Sequence, residues 1–156
     1  MKKILLFVLI ITALSSCMTS KTASTGDGKI APVQVFGLPK PISPYSSAVW
    51  AGDFCYVSGQ LATDAISGKM PEGGIKEEVQ GVMRNLETVL KSADLGFSNV
   101  VKSTVYLTDF KDFQTMNDVY KTYFKNGQYP ARETVQIAAL ARGAHVEISV
   151  IAYKKR

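Results

Sequence analysis

The sequence predicts a single α+β domain in which one β-sheet carries two helices on the same face. The chain has 156 residues, which suits one domain of ordinary size and does not favour separate cofactor and substrate lobes. Hydrophobic residues make up 46% of the chain and charged residues 20%, a balance typical of globular proteins. The apolar spacing switches between strand-like and helix-like periods in the order β-β-β-α-β-α-β-β, which predicts one layered sheet.

The first part of this sheet is predicted to contain a hairpin. A short strand is expected over residues 33–36, before an extended proline-rich loop. β-Branched and aromatic residues flank the pair Gly52-Asp53, so a hairpin is expected over residues 46–60 with its turn at this pair.

Two helices are predicted to alternate with the remaining strands. Apolar residues at steps of three and four predict a helix over residues 77–94, and a second apolar face that follows Asp112 predicts another over residues 112–124. Strands are expected over residues 100–107, 131–138 and 146–152.

Alternation along these strands predicts which side chains meet the helices. The apolar set of the last strand is expected to face them, and Ser58, Arg132, Thr134 and Glu147 are expected to share the opposite face. Aromatic and aliphatic residues also fall on that opposite face, so we expect it to contact another subunit, with the polar groups lining a cleft. A simple cross-strand ion pair between Arg132 and Glu147 is an equally open interpretation.

The first 31 residues are predicted to comprise a targeting signal and a flexible tether. Two lysines precede an apolar run that is too short to span a bilayer, which predicts a signal peptide over residues 1–16. The segment Leu14-Ser15-Ser16-Cys17 resembles a bacterial lipobox, so Cys17 is the expected lipidation site; an ordinary residue after a standard cleavage site is the alternative. Residues 17–31 are expected to form a flexible tether and residues 32–156 the domain. The predicted location is extracytoplasmic, on the periplasmic side or cell surface of a bacterial membrane.

Composition restricts the chemistry available to the domain. One histidine and two cysteines cannot supply a Cys/His zinc site or a disulfide framework, so the chemistry is expected to use mainly arginine, carboxylates, hydroxyls and backbone groups. The net charge of +5 is not arranged as a basic stripe with interleaved aromatics, so nucleic acid is not an expected partner.

Five segments in order along the chain resemble the Rid (YjgF) family of reactive-intermediate deaminases. They are Ser-Pro-Tyr-Ser-Ser-Ala-Val at residues 43–49, Tyr-Val-Ser-Gly-Gln-Leu at 56–61, Asn-Leu at 85–86, Tyr-Pro-Ala-Arg-Glu-Thr-Val at 129–135 and Val-Glu-Ile at 146–148. The resemblance implies a chorismate-mutase-like fold and a homotrimer with clefts between subunits. It also implies hydrolysis of 2-imino acids or enamines to 2-keto acids and ammonia, with no metal and no organic cofactor.

The same resemblance implies roles for individual residues. Arg132 would hold the substrate carboxylate, a task that suits the fork of guanidinium donors, and Glu147 would position the hydrolytic water. The remaining implied substrate-binding residues are Tyr45, Ser58, Gly59, Asn117 and Thr134.

Departures from the family pattern concern the substrate range more than the fold. Glu133 and Thr134 stand where many relatives have Ser and Cys, and Ala62 replaces a common proline. A non-catalytic trimer that binds small carboxylates or keto acids is the alternative function, and chaperone or nuclease activity is a weaker third.

Overall fold

The computed structural model describes residues 30–41 and 43–155, so the predicted signal peptide, Cys17 and nearly all of the tether lie outside the described residues. Within this part of the chain no helix is long and apolar enough to cross a membrane.

One six-stranded mixed sheet with the order β1-β2-β3-β6-β4-β5 forms one layer of the domain. The strands are β1 (Ala31–Pro32), β2 (Ala48–Ala51), β3 (Phe54–Gln60), β4 (Val100–Leu107), β5 (Ala131–Gln136) and β6 (Val146–Tyr153). All neighbouring strands are antiparallel except β4 and β5, which run parallel because a helix connects them. The predicted hairpin is confirmed, and Gly52 adopts the positive φ of 59° that its turn requires. The predicted strand over residues 33–36 is wrong, since the short edge strand β1 lies just before it.

The two predicted helices are present; the first begins and ends two residues earlier than expected, and the second is shorter. Helix α1 (Ile75–Ser92) has two glutamates in its first turn and a lysine in its last, which suits the helix dipole. Helix α2 (Phe113–Tyr120) continues as a tighter 3-10 turn over Lys121–Tyr123, so the predicted end at residue 124 falls after a change of helix type.

Both helices pack on one face of the sheet and enclose the core. The apolar set of β6 is buried there as predicted, together with Val79, Val82, Leu86, Val89 and Met116 from the helices. Cys55 is also fully buried in this core, as expected of a small apolar side chain.

The prediction that Arg132 and Thr134 share a face with Glu147 is wrong. In the parallel register Arg132 aligns with Ser103 and Thr134 with Val105, and both of these β4 residues are fully buried on the helix side. Laterally aligned residues of neighbouring strands share a face, so Arg132 and Thr134 lie on the helix side as well. Glu147 aligns with Tyr106 on the opposite, open face.

The physical reason for this error is that both faces of the sheet are partly apolar. The open face carries the half-exposed side chains of Tyr56 and Val135. An apolar side chain on β5 therefore does not indicate which face of the sheet the helices cover. Because β5 is an edge strand, the Arg132 side chain can point to the helix side there and remain partly exposed to solvent.

Candidate active site

Arg132 lies in a concave region between β5 and α2, which we call the arginine pocket. It has a volume of about 470 Å³ and is lined by Arg132, Asn117, Gln114, Asp118, Tyr120, Lys121, Tyr129 and Pro130. The predicted residues Arg132 and Asn117 are therefore brought together, although they come from different elements. The volume is in the range of small-molecule sites.

Electrostatics leave Arg132 as the cation available in this pocket. The Lys121 ammonium lies 2.7 Å from an Asp118 carboxylate oxygen, so these two charges compensate each other. Among the described residues Arg132 forms no ion pair; its guanidinium carbon instead lies 4.9 Å from the ring centroid of Tyr120 and 5.8 Å from that of Phe113. The charge is thus partly sheltered and its N–H donors remain available to an anion.

Thr134 lies on the same side of the sheet as Arg132, two residues further along β5. Its hydroxyl oxygen is buried and has no hydrogen-bond partner among the described residues. The family resemblance implied Thr134 as a substrate-binding residue. A buried hydroxyl without a partner is costly, which makes it a second polar group on this side that a ligand or water could satisfy.

Glu147 lies in a second concave region at the opposite face, which we call the glutamate pocket. Its volume is about 560 Å³, and its lining includes the predicted residues Tyr45, Ser58, Gly59 and Glu147. Four predicted site residues from three segments of the sequence are therefore brought together here.

The close approach of β3 to β6 explains the glycine in this pocket. A Cβ atom at position 59 would overlap the Glu147 carboxylate, so any side chain there would displace it. The register between β3 and β6 shifts between Val57 and Gln60, which marks a bulge at this point. The Ser58 hydroxyl donates a 2.7 Å hydrogen bond to the Ser46 carbonyl and ties β3 to the segment that carries Tyr45.

Burial changes the acidity of Glu147. Desolvation raises the pKa of its carboxyl group above the ordinary value, since the charged form loses hydration in the pocket. A carboxylate with a raised pKa is a better proton acceptor near neutral pH than an exposed one.

Arg142 is a pocket residue that the sequence did not single out. It adopts a left-handed φ of 60° and its Nη1 donates a 2.9 Å hydrogen bond to the Gly68 carbonyl, which draws the loop after β3 toward the glutamate pocket. The sequence did not single out Tyr120 and Phe113 as site residues either. Their aromatic spacing on α2 carried no signal of a contact with Arg132, because that contact depends on how β5 pairs with β4.

Arg132 and Glu147 therefore occupy two different pockets on opposite faces of one sheet. Strand β4 lies between β5, which carries Arg132, and β6, which carries Glu147, and the two side chains lie on opposite faces, so the interpretation of a cross-strand ion pair is wrong. One pocket offers a cation with free donors and the other a desolvated carboxylate. In the described residues no cluster of three or more His, Cys, Asp or Glu side chains could hold a metal ion.

These features define a class of protein. It has an α+β fold with a mixed sheet, two helices on one face, and two small pockets, one lined by an arginine and the other by a glutamate. The chain matches the family model described as Endoribonuclease L-PSP over residues 37–154. It therefore belongs to the Endoribonuclease L-PSP family, the Rid family of the resemblance above.

Individual relatives agree with this assignment. The mouse protein named 2-iminobutanoate/2-iminopropanoate deaminase is 49% identical over 114 residues, which cover 73% of this chain and 84% of the relative. A Rid-family protein from Yersinia pestis superposes with a TM-score of 0.78 at 34% identity, covering 81% of this chain and 100% of that one. The structure of TdcF from E. coli with bound serine superposes with a TM-score of 0.74 at 31% identity, covering 80% of this chain and 98% of that one.

Proposed function

We propose that this protein is a hydrolytic deaminase that converts 2-imino acids, or their enamine tautomers, to 2-keto acids and ammonia without a cofactor. The observation that carries this proposal is the Arg132 guanidinium, which is held in a small pocket with its donors unpaired among the described residues. A 2-imino acid presents the carboxylate that such a fork binds. The name of the mouse relative and the serine bound to TdcF support the same chemistry.

In the proposed reaction the substrate carboxylate binds Arg132, and Glu147 orients a water molecule toward the imine carbon. The water oxygen forms a bond to that carbon, one water proton passes through Glu147 to the nitrogen, and a carbinolamine results. The carbinolamine hydroxyl then gives its proton through Glu147 to the amino nitrogen, the C–N bond breaks, and ammonia leaves as the keto group forms. Tyr45, Ser58, Gly59, Asn117 and Thr134 surround the substrate in this proposal.

This mechanism requires two copies of the chain at each site. Within one protomer Arg132 and Glu147 lie on opposite faces, so a single chain cannot present both to one small substrate. We propose a homotrimer in which the arginine pocket of one protomer meets the glutamate pocket of the next. The half-exposed apolar side chains of the open face, among them Tyr56 and Val135, would supply the contact.

We further propose that Cys17 is lipidated and holds the domain on the extracytoplasmic side of a bacterial membrane. The support is the charged, apolar and small-residue order of residues 1–17. Expression in a bacterium with labelled palmitate should label the wild-type chain and leave Cys17→Ser unlabelled. Equal labelling of both would contradict this proposal.

The deaminase is tested by generating 2-iminopropanoate with an amino-acid oxidase and catalase and following its decay to pyruvate. The purified full chain should accelerate this decay above the spontaneous rate. Arg132→Ala should reduce kcat/KM by about 10²–10³-fold, since one preorganised charged contact is worth that much. Arg132→Lys should also be poor, because an ammonium cannot reproduce the fork.

No acceleration by the wild-type chain, or an unchanged rate in Arg132→Ala, would exclude the deaminase. Calorimetry with pyruvate then identifies the alternative. Binding that is lost in Arg132→Ala without any turnover would indicate a carboxylate-binding module.

A further inference from the structure

Two aromatic rings of α2 form a shelf beneath the Arg132 guanidinium. Phe113 and Tyr120 are seven residues apart, two helical turns, so their side chains share one face of α2. The guanidinium carbon of Arg132 lies over both rings, at 4.9 Å from the centroid of Tyr120 and 5.8 Å from that of Phe113. Both distances fall within the range of cation–π attraction.

The rings of this aromatic shelf are themselves held in place. The Tyr120 hydroxyl and the Ser103 hydroxyl form a 2.7 Å hydrogen bond, and both residues are buried. The Tyr120 ring also packs against Phe124 at a centroid distance of 4.8 Å, and Phe113 stacks on Phe110 at 5.0 Å with an angle of 10° between the rings. The shelf therefore presents a fixed surface to the guanidinium.

Tyr120 acts on Arg132 as a neutral ring. Burial raises the pKa of its hydroxyl above the ordinary value, so no phenolate competes with a substrate carboxylate for the arginine. An aromatic face occupies none of the in-plane N–H donors of a guanidinium, whereas a carboxylate partner would occupy two of them. Among the described residues nothing else pairs with Arg132, so the shelf holds the arginine and leaves its fork unoccupied.

We propose that Tyr120, anchored by Ser103, and Phe113 are positioning residues that orient the Arg132 fork toward the substrate carboxylate. This inference rests on the proposed function, in which Arg132 binds that carboxylate. It assigns a specific task to side chains that otherwise count only as core. The shelf should affect carboxylate affinity much more than the chemical step, because it acts through Arg132 and touches no reacting atom.

Tyr120→Leu removes the ring and retains an apolar side chain. Tyr123→Leu is the matched control, since Tyr123 lies on the same helical segment and packs edge-on against Phe97 at 5.4 Å without a contact to Arg132. Tyr120→Leu should raise KM for 2-iminopropanoate and the Kd for pyruvate about tenfold, with kcat changed less than about threefold. Tyr123→Leu should leave KM and Kd within about twofold of wild type.

Two further variants separate positioning from folding. Tyr120→Phe keeps the ring and loses the hydroxyl contact with Ser103. Its KM should therefore lie within about threefold of the wild-type value, well below that of Tyr120→Leu. Phe113→Leu removes the outer, half-buried ring and should raise KM about threefold, which keeps the test decisive if Tyr120→Leu does not fold.

NMR can detect the contact between Arg132 and the aromatic shelf in the absence of any ligand. The Nε–H resonance of Arg132, assigned by its loss in Arg132→Lys, should be shifted upfield by the ring currents of the shelf. Tyr120→Leu should reverse this shift and Tyr123→Leu should not. This measurement holds whether or not the chain is a deaminase, and a missing shift overturns the inference.

The kinetic outcomes are equally distinct. Wild-type turnover with equal KM in Tyr120→Leu and Tyr123→Leu, or a loss confined to kcat, would overturn the positioning role and leave the proposed function intact. A wild-type chain that neither binds pyruvate nor hydrolyses the imine would instead overturn the proposed function.

Discussion

The residues that pack around Glu147 determine the pKa of its carboxyl group. The carboxylate packs over Gly59 in a partly desolvated pocket, and its pKa is raised for that reason. A raised pKa means that the ionised form, which the proposed mechanism needs as proton acceptor, is lost at a higher pH than for an exposed glutamate.

The pH dependence of the deaminase should show this shift. As pH falls, kcat/KM should decline in an acid limb centred above the ordinary glutamate value of 4.5. His145→Gln should keep the limb, which would exclude the histidine as its source. Activity that stays constant down to about pH 4 would contradict a role for the Glu147 carboxylate as base.

Gly59→Ala tests the packing of that carboxylate. The added methyl group would overlap the far end of the Glu147 side chain, which is flexible, so the chain should fold with nearly wild-type stability and lose activity about tenfold or more. Gly96→Ala is the control, because a Cβ there meets nothing within 4 Å. The measurements are kcat/KM and the urea midpoint of unfolding, and equal activity in the two variants would contradict the prediction.

Helix α1 holds the glutamate pocket in place through contacts at two points along its length. The Asn85 amide donates hydrogen bonds of 2.8 and 2.9 Å to the carbonyls of Leu61 and Thr63, which secures the segment that leaves β3. Near the start of the helix, Oε2 of the buried Glu78 accepts a 2.8 Å hydrogen bond from the His145 backbone N–H. The other carboxylate oxygen, Oε1, lies 2.5 Å from Nδ1 of the His145 ring. Strand β6 begins at the next residue, so the helix aligns the strand that carries Glu147.

The pairing of Glu78 with His145 should make stability depend on pH. The Glu78 carboxylate raises the pKa of His145 above 6.5, first by hydrogen bonding and then by charge attraction. The folded state therefore binds the proton more tightly than the unfolded chain. The extra stability is fully present below the unfolded pKa and is lost as pH rises through the raised folded pKa.

Glu78→Gln removes the charge and keeps an oxygen for the backbone N–H. The free energy of unfolding of the wild type should exceed that of this variant most near pH 6, and the difference should shrink by pH 8.5. The decrease should be less than about 1 kcal/mol, because the His145 side chain is 54% exposed. Urea unfolding at both pH values measures it. An advantage that grows with pH would contradict the assignment.

At the scale of the whole molecule, the separation of the two pockets predicts complementation between inactive variants. Arg132→Ala and Glu147→Gln should each be nearly inactive alone. When they are unfolded together and refolded as mixed trimers, about one interface in four should combine an intact arginine from one chain with an intact glutamate from the next. Activity should therefore return to about a quarter of wild type, as measured by imine hydrolysis.

A double variant that carries both substitutions provides the control for this experiment. Mixed with Glu147→Gln it supplies no intact glutamate, so activity should stay absent. Recovery in that control, or none in the first mixture, would show that the two residues do not meet across subunits. Light scattering of the wild-type chain should give the mass of a trimer.

The sequence by itself determined the class of fold, because hydrophobic periodicity is a local property: both helices, the hairpin at Gly52 and the buried set of β6 follow from it. It also determined the candidate site residues, through five short motifs, each of which is continuous along the chain. Only the tertiary structure decided the face on which Arg132 lies, since that depends on the register between β4 and β5, two strands joined through a helix. The same long-range pairing decided that Tyr120 and Phe113 contact Arg132, a relation that no spacing within α2 or β5 could indicate.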